Sequence, residues 1–472
     1  MKILFYNWVP FDEENRGGGV TVYTRNLING ILKKYPNQDI TFLCAGSYYD
    51  TNDRTIRCEE LQLKCNIRCK AFTIVNSPVF APAYLSFYHL NKMINDNELK
   101  KVFFSFLVEK GPFDIVHFQN FEGLSLETIA CKNKFPKTKF IYSIHNYYAF
   151  CPRVDLWRNN SENCSCLNTG SHCLDCMICH VPSEKLKRKM YIDYMQRKDN
   201  TPDTNYYNSM RKEIDAQYAV EELRPLSFDE REELRICLND YRRKLVNVIN
   251  ENMDVILAVS ERVKEIALKN GIKKEKIRTS YIGTDVAENA INYYKGVLAP
   301  PVTMVYMGYQ NKEKGFFFLM DVLNKMEPEI SKKMNVMILA RGSFYTEEML
   351  NLHKRKFNNA FFQNGYKREE ILSILSQADF GIVPVLWEDN LPQVAIEMAA
   401  NGVPVLCSDR GGVKELTSNP NFIFKADDVC DCIKKITQLI NCPNELKEYY
   451  RNYRGLTTMD KHVEELCTVV YS

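Results

Sequence analysis

At 472 residues the chain is about three times the length of an ordinary domain, so two or more hydrophobic cores are expected. Hydrophobic residues make up 45% and charged residues 26%, a balance of globular proteins that argues against extensive disorder. The 62 basic and 59 acidic residues leave a formal charge of +3, which gives no reason to expect nucleic acid, where a clustered basic face would be needed, and no apolar stretch approaches the ~20 residues of a membrane helix. Pro10, Asp12 and Glu13 interrupt the first residues too soon for a signal peptide, so a cytoplasmic protein is expected. The 17 cysteines are odd in number and widely scattered, which speaks against a disulfide framework.

Short β-rich runs alternate with amphipathic stretches along the chain, the pattern of parallel sheets covered by helices. The first set of predicted strands falls at 3–7, 40–45, 72–75, 114–118, 140–144 and 255–259, with a helix at 20–33. The second set falls at 302–307, 336–340, 380–384, 403–407 and 422–424, with a helix at 369–377. The fold class is therefore α/β, with two doubly wound domains at 1–288 and 302–447. The linker at 289–301 ends in Ala299-Pro300-Pro301, and a C-terminal helix at 448–472 is expected to pack back on the first domain. Two regions break the alternation: a cysteine-rich stretch at 151–180 and a charged, tyrosine-rich helical stretch at 182–252, read together as an insertion.

In open parallel sheets, ligands bind beyond the carboxyl ends of the strands, where helix N-termini offer free N–H groups. Several unusual residues fall at such ends. Gly17-Gly18-Gly19 follows the first strand, and the bland alternative for it is a flexible turn. Gly308 to Gly315 follows the first strand of the second domain and contains Lys314, a point charge suited to a diphosphate. Asp389, Asn390, Leu391 and Pro392 precede a helix that Asn390 is expected to cap. Glu397 lies inside that otherwise apolar helix, where an inward carboxylate needs a partner such as ribose hydroxyls; an outward, solvated Glu is the alternative. Ser408 to Val413, with Gly411 and Gly412, follows another strand. Together these loops suggest a phosphate-bearing ligand.

The residues resemble the retaining nucleotide-sugar glycosyltransferases of the GT-B fold, a family 4-like group that includes many enzymes of bacterial polysaccharide (capsule or exopolysaccharide) biosynthesis. The resemblance rests on Gly17 to Gly19, Asp114 to His117, Ser143 to Asn146, Ile282 to Asp285, Lys314-Gly315, Gly365-Tyr366, Asp389 to Glu397 and Gly411-Gly412. It implies two Rossmann-like domains facing a cleft, the donor held mainly by the second. Carried over residue by residue, it makes His145, Asp389 and Glu397 the catalytic set. Gly18, Gly19, Lys314, Gly365, Tyr366, Asn390, Leu391, Glu397 and Gly411 become donor contacts, with Glu397 on the ribose and Gly365-Tyr366 beside the base. The family usually has Glu where Asp389 stands, so Asp389 or the adjacent Glu388 takes that place, with Asp389 preferred. The arginine that usually follows Gly308 is replaced by Tyr309, leaving Arg341 or Arg410 to supply the charge. His117 is read as shaping the cleft or as structural.

The implied reaction is front-face transfer with retention, Lys314 and backbone N–H groups stabilising the leaving diphosphate. A UDP-sugar is the favoured donor, and a lipid-linked oligosaccharide or polysaccharide the acceptor. No cofactor is required for transfer. Cys164, Cys166, Cys173, Cys176 and Cys179 are expected to provide a structural zinc site, with Fe–S and disulfides as alternatives. The basic run Lys185 to Tyr191 is either a peripheral contact with anionic lipid at the inner face of a membrane or a solvated helix face. A nucleotide-sugar epimerase and a non-catalytic nucleotide-sugar-binding scaffold are the competing functions.

Overall fold

The computed structural model describes residues 1–13, 16–87, 89–165, 173–176, 182–199, 204–222, 225–297 and 299–472. The first sheet is built from β1 (Lys2–Tyr6), β2 (Asp39–Ala45), β3 (Arg57–Glu60), β4 (Lys70–Val75), β5 (Ile115–Phe118), β6 (Lys139–Ile144), β9 (Val255–Ala258) and β10 (Ile277–Thr279). Between β6 and β9 lies a small hairpin, β7 (Trp157–Arg158) with β8 (Glu162–Asn163). The strand order is β10-β9-β6-β5-β1-β2-β4-β3, and every pair is parallel except β3 with β4. The second sheet contains β11 (Val302–Tyr309), β12 (Met334–Arg341), β13 (Asn359–Gln363), β14 (Phe380–Val383), β15 (Val405–Ser408) and β16 (Ile423–Phe424). Its order is β13-β12-β11-β14-β15-β16, all parallel.

Near-continuous apolar runs such as Ile3-Leu4-Phe5-Tyr6 bury both faces, as parallel strands under helices must. One face of the first sheet packs Leu4, Leu43, Val116 and Tyr142 into a core shared with the helix Asn97–Lys110. The other face packs Ile3, Phe5 and Phe42 against Leu27, Ile28 and Ile31 of the helix Gly18–Lys34. Met459, Val463, Leu466 and Val470 from the chain's end join that second face, so the C-terminal segment returns to the first domain. The second domain has its own core around Val305, Leu319, Ile338 and Ile382.

The region at 182–252 contains the helices Ser183–Asp199, Thr204–Glu222 and Phe228–Asn252. The last begins at a Ser227–Glu230 capping box and buries Leu238, Tyr241, Leu245 and Ile249 in the main core, so it serves as the crossover into β9. The charges of the basic run are engaged within this region: Lys185 and Lys189 pair with Asp215 at 2.8 and 3.0 Å, and Lys187 pairs with Glu184 at 2.9 Å. Among the described residues no helix is long and apolar enough to cross a membrane.

Of the cysteines read as zinc ligands, Cys166 and Cys179 lie outside the described residues. Cys164, Cys173 and Cys176 are described, and the buried Arg242 donates to Cys173 Sγ at 3.3 Å. Among the described residues no group of three or more His, Cys, Asp or Glu could hold a metal ion.

Candidate active site

Each sheet reverses its strand order once, between β1 and β5 in the first and between β11 and β14 in the second. Loops on either side of such a reversal diverge and leave a crevice. A cavity of about 780 Å³ lies where the two crevices face each other. That volume falls within the range that holds a small-molecule ligand.

The second-domain wall carries Lys314, beyond β11, and Asp389, beyond β14. Lys314 Nζ donates to Asp389 Oδ2 at 2.6 Å and stands 4.9 Å from the centre of the Trp387 ring. Gly315 closes the turn after Lys314 with φ +74°, and a Cβ there would stand 1.7 Å from Pro384 O. The close approach of the two switch-point loops therefore requires glycine.

Glu388 points elsewhere. Its carboxylate accepts from Arg262 Nε and Nη2 at 2.8 and 2.7 Å and from Gly411 N at 3.1 Å, and it does not line the cavity. Burial by itself would raise the Glu388 carboxyl, but the Arg262 hydrogen bonds and charge outweigh it and hold the group below its ordinary range. Arg410 lies 3.5 Å from the same carboxylate and is likewise not a cavity residue. Asp389, not Glu388, thus faces the cavity, and of the two arginines weighed, Arg341 lines it.

Two expectations change here. Asn390 does not cap the following helix, which spans Gln393–Ala400 and starts after Pro392 without a side-chain cap. Instead Asn390 Nδ2 donates to the backbone carbonyl of His145 in the other domain. Gly411, read as a donor contact, is not a cavity residue: a Cβ on it would meet Asp389 O at 2.1 Å, so it packs beneath Asp389 and supports that backbone.

Glu397 lines the cavity, not the outer face of its helix. Near it, burial pushes the Tyr366 phenol up, with Glu397 and Tyr309 adding to the rise and Arg341 opposing it. Gly365, Tyr366, Asn390 and Leu391 also form part of the wall.

From the first domain come Gly18 and Gly19, at the start of the first helix, together with His145 and Tyr23. His145 Nε2 is hydrogen-bonded to Gln119 Oε1 at 2.8 Å, and burial, assisted by His462, lowers its imidazole to about 3. It is therefore a neutral polar group at ordinary pH. Tyr23 was not singled out from the sequence. Its ring lies 4.7 Å from that of His145, and its hydroxyl is 2.6 Å from His462 Nε2 on the returning C-terminal helix. His117 is fully buried, bridging Tyr471 and Ser143 at 2.8 Å each, and is structural.

A strap that follows Cys151 crosses between the domains. Val154 lines the cavity, while Trp157 packs in the second-domain core and Asn163 Nδ2 donates to Leu386 O at 2.7 Å. Val154 and Leu156 hold φ at 64° and 55°, a left-handed backbone disfavoured for branched side chains and sustained only by surrounding contacts. No sequence signal distinguished Tyr23 or the strap, because each acquires its place only through contact with remote chain.

Residues 296–455 match the family described as glycosyl transferases group 1. No curated protein sequence matches the chain. Among solved structures it is similar to Anabaena HepE in complex with UDP and glucose, with TM-score 0.53, 12% identity and all of both chains covered. It is similar to the lipopolysaccharide outer core galactosyltransferase WaaB in its apo form, with TM-score 0.54, 14% identity and 99% of each chain covered. Sucrose-phosphate synthase from Thermosynechococcus elongatus gives TM-score 0.54 and 14% identity over 98% of this chain and 94% of that one. With two Rossmann-like sheets facing a cleft, the chain has the GT-B fold, and residues 296–455 of its second domain match the glycosyl transferases group 1 family.

Proposed function

We propose that this protein transfers a sugar from a nucleotide-sugar donor, a UDP-sugar in first place, to a hydroxyl of a lipid-linked oligosaccharide or polysaccharide, with retention of anomeric configuration. The observation that carries the reading is the convergence of Lys314, Asp389 and Glu397 on one wall of a cavity whose other wall holds His145, Gly18 and Gly19. Retention and the acceptor class rest on the resemblance of the motifs.

In this reading Glu397 accepts from ribose hydroxyls. The leaving diphosphate engages Lys314, which Asp389 holds in place, and the unpaired N–H groups at the start of Gln393–Ala400 add to the field. The C1–O bond to the diphosphate breaks while the acceptor oxygen bonds C1 from the same face. The acceptor's proton passes to the departing phosphate oxygen. Asp389 is paired with a cation, and neutral His145 is a hydrogen-bonding group beside the sugar.

The test is a thermal-shift screen against UDP, GDP, ADP and their sugar conjugates, followed by an assay of nucleoside diphosphate release. Selective stabilisation with turnover is expected, and Glu397→Ala should abolish the shift. Unchanged activity of Glu397→Gln would sink the assignment. The short side chain of Asp389 and the tyrosine at 309 favour one second reading, a binding protein without turnover. It would show as nucleotide stabilisation with no product under any donor and acceptor.

A further inference from the structure

Three side chains of the cavity wall carry a cationic or titratable nitrogen: His145, Lys314 and Arg341. The first is neutral and bonded to Gln119, and the second is paired with Asp389. Among the described residues the Arg341 guanidinium has no hydrogen-bond or ion-pair partner, and its side chain is exposed at the end of β12. Its backbone, by contrast, is pinned. Gln310 N donates to Arg341 O at 2.9 Å, Gln310 Nε2 donates to Ala340 O at 2.8 Å, and the next residue's N–H donates to Asn364 Oδ1 at 3.0 Å. A fixed main chain thus presents an unengaged planar donor to the cavity.

The sheet order indicates which part of a nucleotide sugar it meets. Reading β13, β12, β11, β14 in order places Gly365-Tyr366, Arg341, Lys314 and Asp389 side by side. The Asp389 end touches the first domain through Asn390 and His145, so the transferred sugar belongs there. Strands lie ~4.8 Å apart, which puts Arg341 and Gly365 about 10–14 Å along the sheet from that end, the span of a diphosphate and ribose. A Cβ at Gly365 would stand 3.4 Å from Arg341 Nε, ordinary van der Waals contact, so the Gly365-Tyr366 turn lies directly beside the guanidinium, and both line the cavity. Guanidinium only donates, and it matches the carbonyl oxygens of uracil, or O6 and N7 of guanine; adenine presents an amino group where guanine has its carbonyl.

We infer that Arg341 reads a carbonyl oxygen of the donor's nucleobase and so selects uracil- or guanine-bearing donors over adenine-bearing ones. This rests on the glycosyl-transfer reading and specifies its substrate class. The experiment is calorimetric titration of the full chain, Arg341→Ala, Arg341→Lys and Lys314→Ala with UDP, GDP and ADP, each variant's melting temperature being checked first. The wild type should bind UDP or GDP at least about tenfold tighter than ADP, a difference of about 1.4 kcal/mol. Arg341→Ala should erase that preference while leaving ADP within about twofold, Arg341→Lys should recover part of it, and Lys314→Ala should weaken all three alike. Equal weakening of all three by Arg341→Ala would make the residue a phosphate or ribose contact and overturn the inference, as would a wild-type preference for ADP. A wild type that binds none of the three would overturn the glycosyl-transfer reading itself.

Discussion

Lys314 and Asp389 neutralise each other at 2.6 Å, so a diphosphate entering the site competes with a carboxylate already bound to its cation. Removing the carboxylate's charge should therefore separate affinity from rate. Asp389→Asn is expected to bind UDP as tightly as the wild type or tighter by calorimetry, while turnover falls at least about tenfold, because Lys314 is then no longer held in position. Tighter binding with undiminished turnover would show that holding Lys314 in place contributes nothing to the rate.

The buried histidines set a pH dependence at the same scale. Burial lowers His145 to about 3 and His462 to about 4, and it holds His117 well below its ordinary value, with neighbouring histidines adding for His117 and His145. In the unfolded chain these groups protonate near pH 6.5. The unfolded state therefore binds more protons than the folded one between about pH 6.5 and pH 4, and stability rises with pH across that window. Thermal melts should show full stability above pH 7 and a steady loss on acidification toward pH 4. His462→Gln should flatten that loss; an unchanged slope would mean that His462 does not contribute to it.

At the scale of elements, the turn between β11 and the helix Phe316–Lys325 shows why the site needs particular residues in its frame as well as in its wall. Gly315→Ala would place a methyl 1.7 Å from Pro384 O in a left-handed backbone; the Cβ is fixed by the backbone and its partner is main chain, so neither can rotate away. The variant is expected to melt several degrees lower and to lose donor affinity as Lys314 shifts; strain at such sites costs on the order of 1–3 kcal/mol. Gly19→Ala is the control, since its added Cβ meets open space. It should melt within a degree or two of the wild type and alter binding alone. The glycine loop is also braced from outside its own domain core: Arg197, on the helix Ser183–Asp199, grips both oxygens of Asp12 at 3.0 and 2.9 Å. The helical region thus helps hold the entry to the first helix.

Across the whole molecule, the cleft is set by contacts between the domains. Glu388 takes the bidentate Arg262 pair, and Glu415 accepts from the N–H groups of Glu261 and Arg262 at 3.0 and 2.8 Å, capping the helix Glu261–Lys269 from the opposite domain. The Trp157 strap and the returning C-terminal helix add two further links. Arg262→Ala would leave a carboxylate whose side chain is only 8% exposed with the Gly411 N–H and the more distant Arg410 as its partners. Breaking a buried pair from one side costs about 3–5 kcal/mol, and somewhat less here because Arg262 retains some solvent contact. Reduced stability and a wider distribution of interdomain distances by X-ray scattering are expected, with Glu388→Gln in the same chain restoring part of the stability. Identical scattering and melting would show that the link does not set the cleft.

Much of this architecture was legible in the linear chain, because apolar runs of four to eight residues between loops report burial on both faces and that needs only local pattern. Within the two large sheets the missed strands, β3, β10 and β13, are edge strands. Arg57–Glu60 is polar, Ile277–Thr279 is three residues long, and Asn359–Gln363 leaves Phe361 45% exposed, so none carries a buried signature. Motif spacing likewise placed Lys314 and Asp389 beyond strand ends and Glu397 in the helix that follows, since chain order and strand polarity together dictate where a loop emerges. Which of two adjacent carboxylates faces the cavity was beyond that reach: Glu388 turns away because Arg262, more than a hundred residues earlier, is there to meet it. The same holds for Asn390, drawn from its helix to a carbonyl of the other domain, and for Gly411, placed beneath Asp389. The sequence by itself determined the layers, the strand ends and the chemistry of the loops, because these follow from local periodicity and residue type. Only the tertiary structure decided which side chains share one cavity, because that depends on pairings between residues that no local pattern connects.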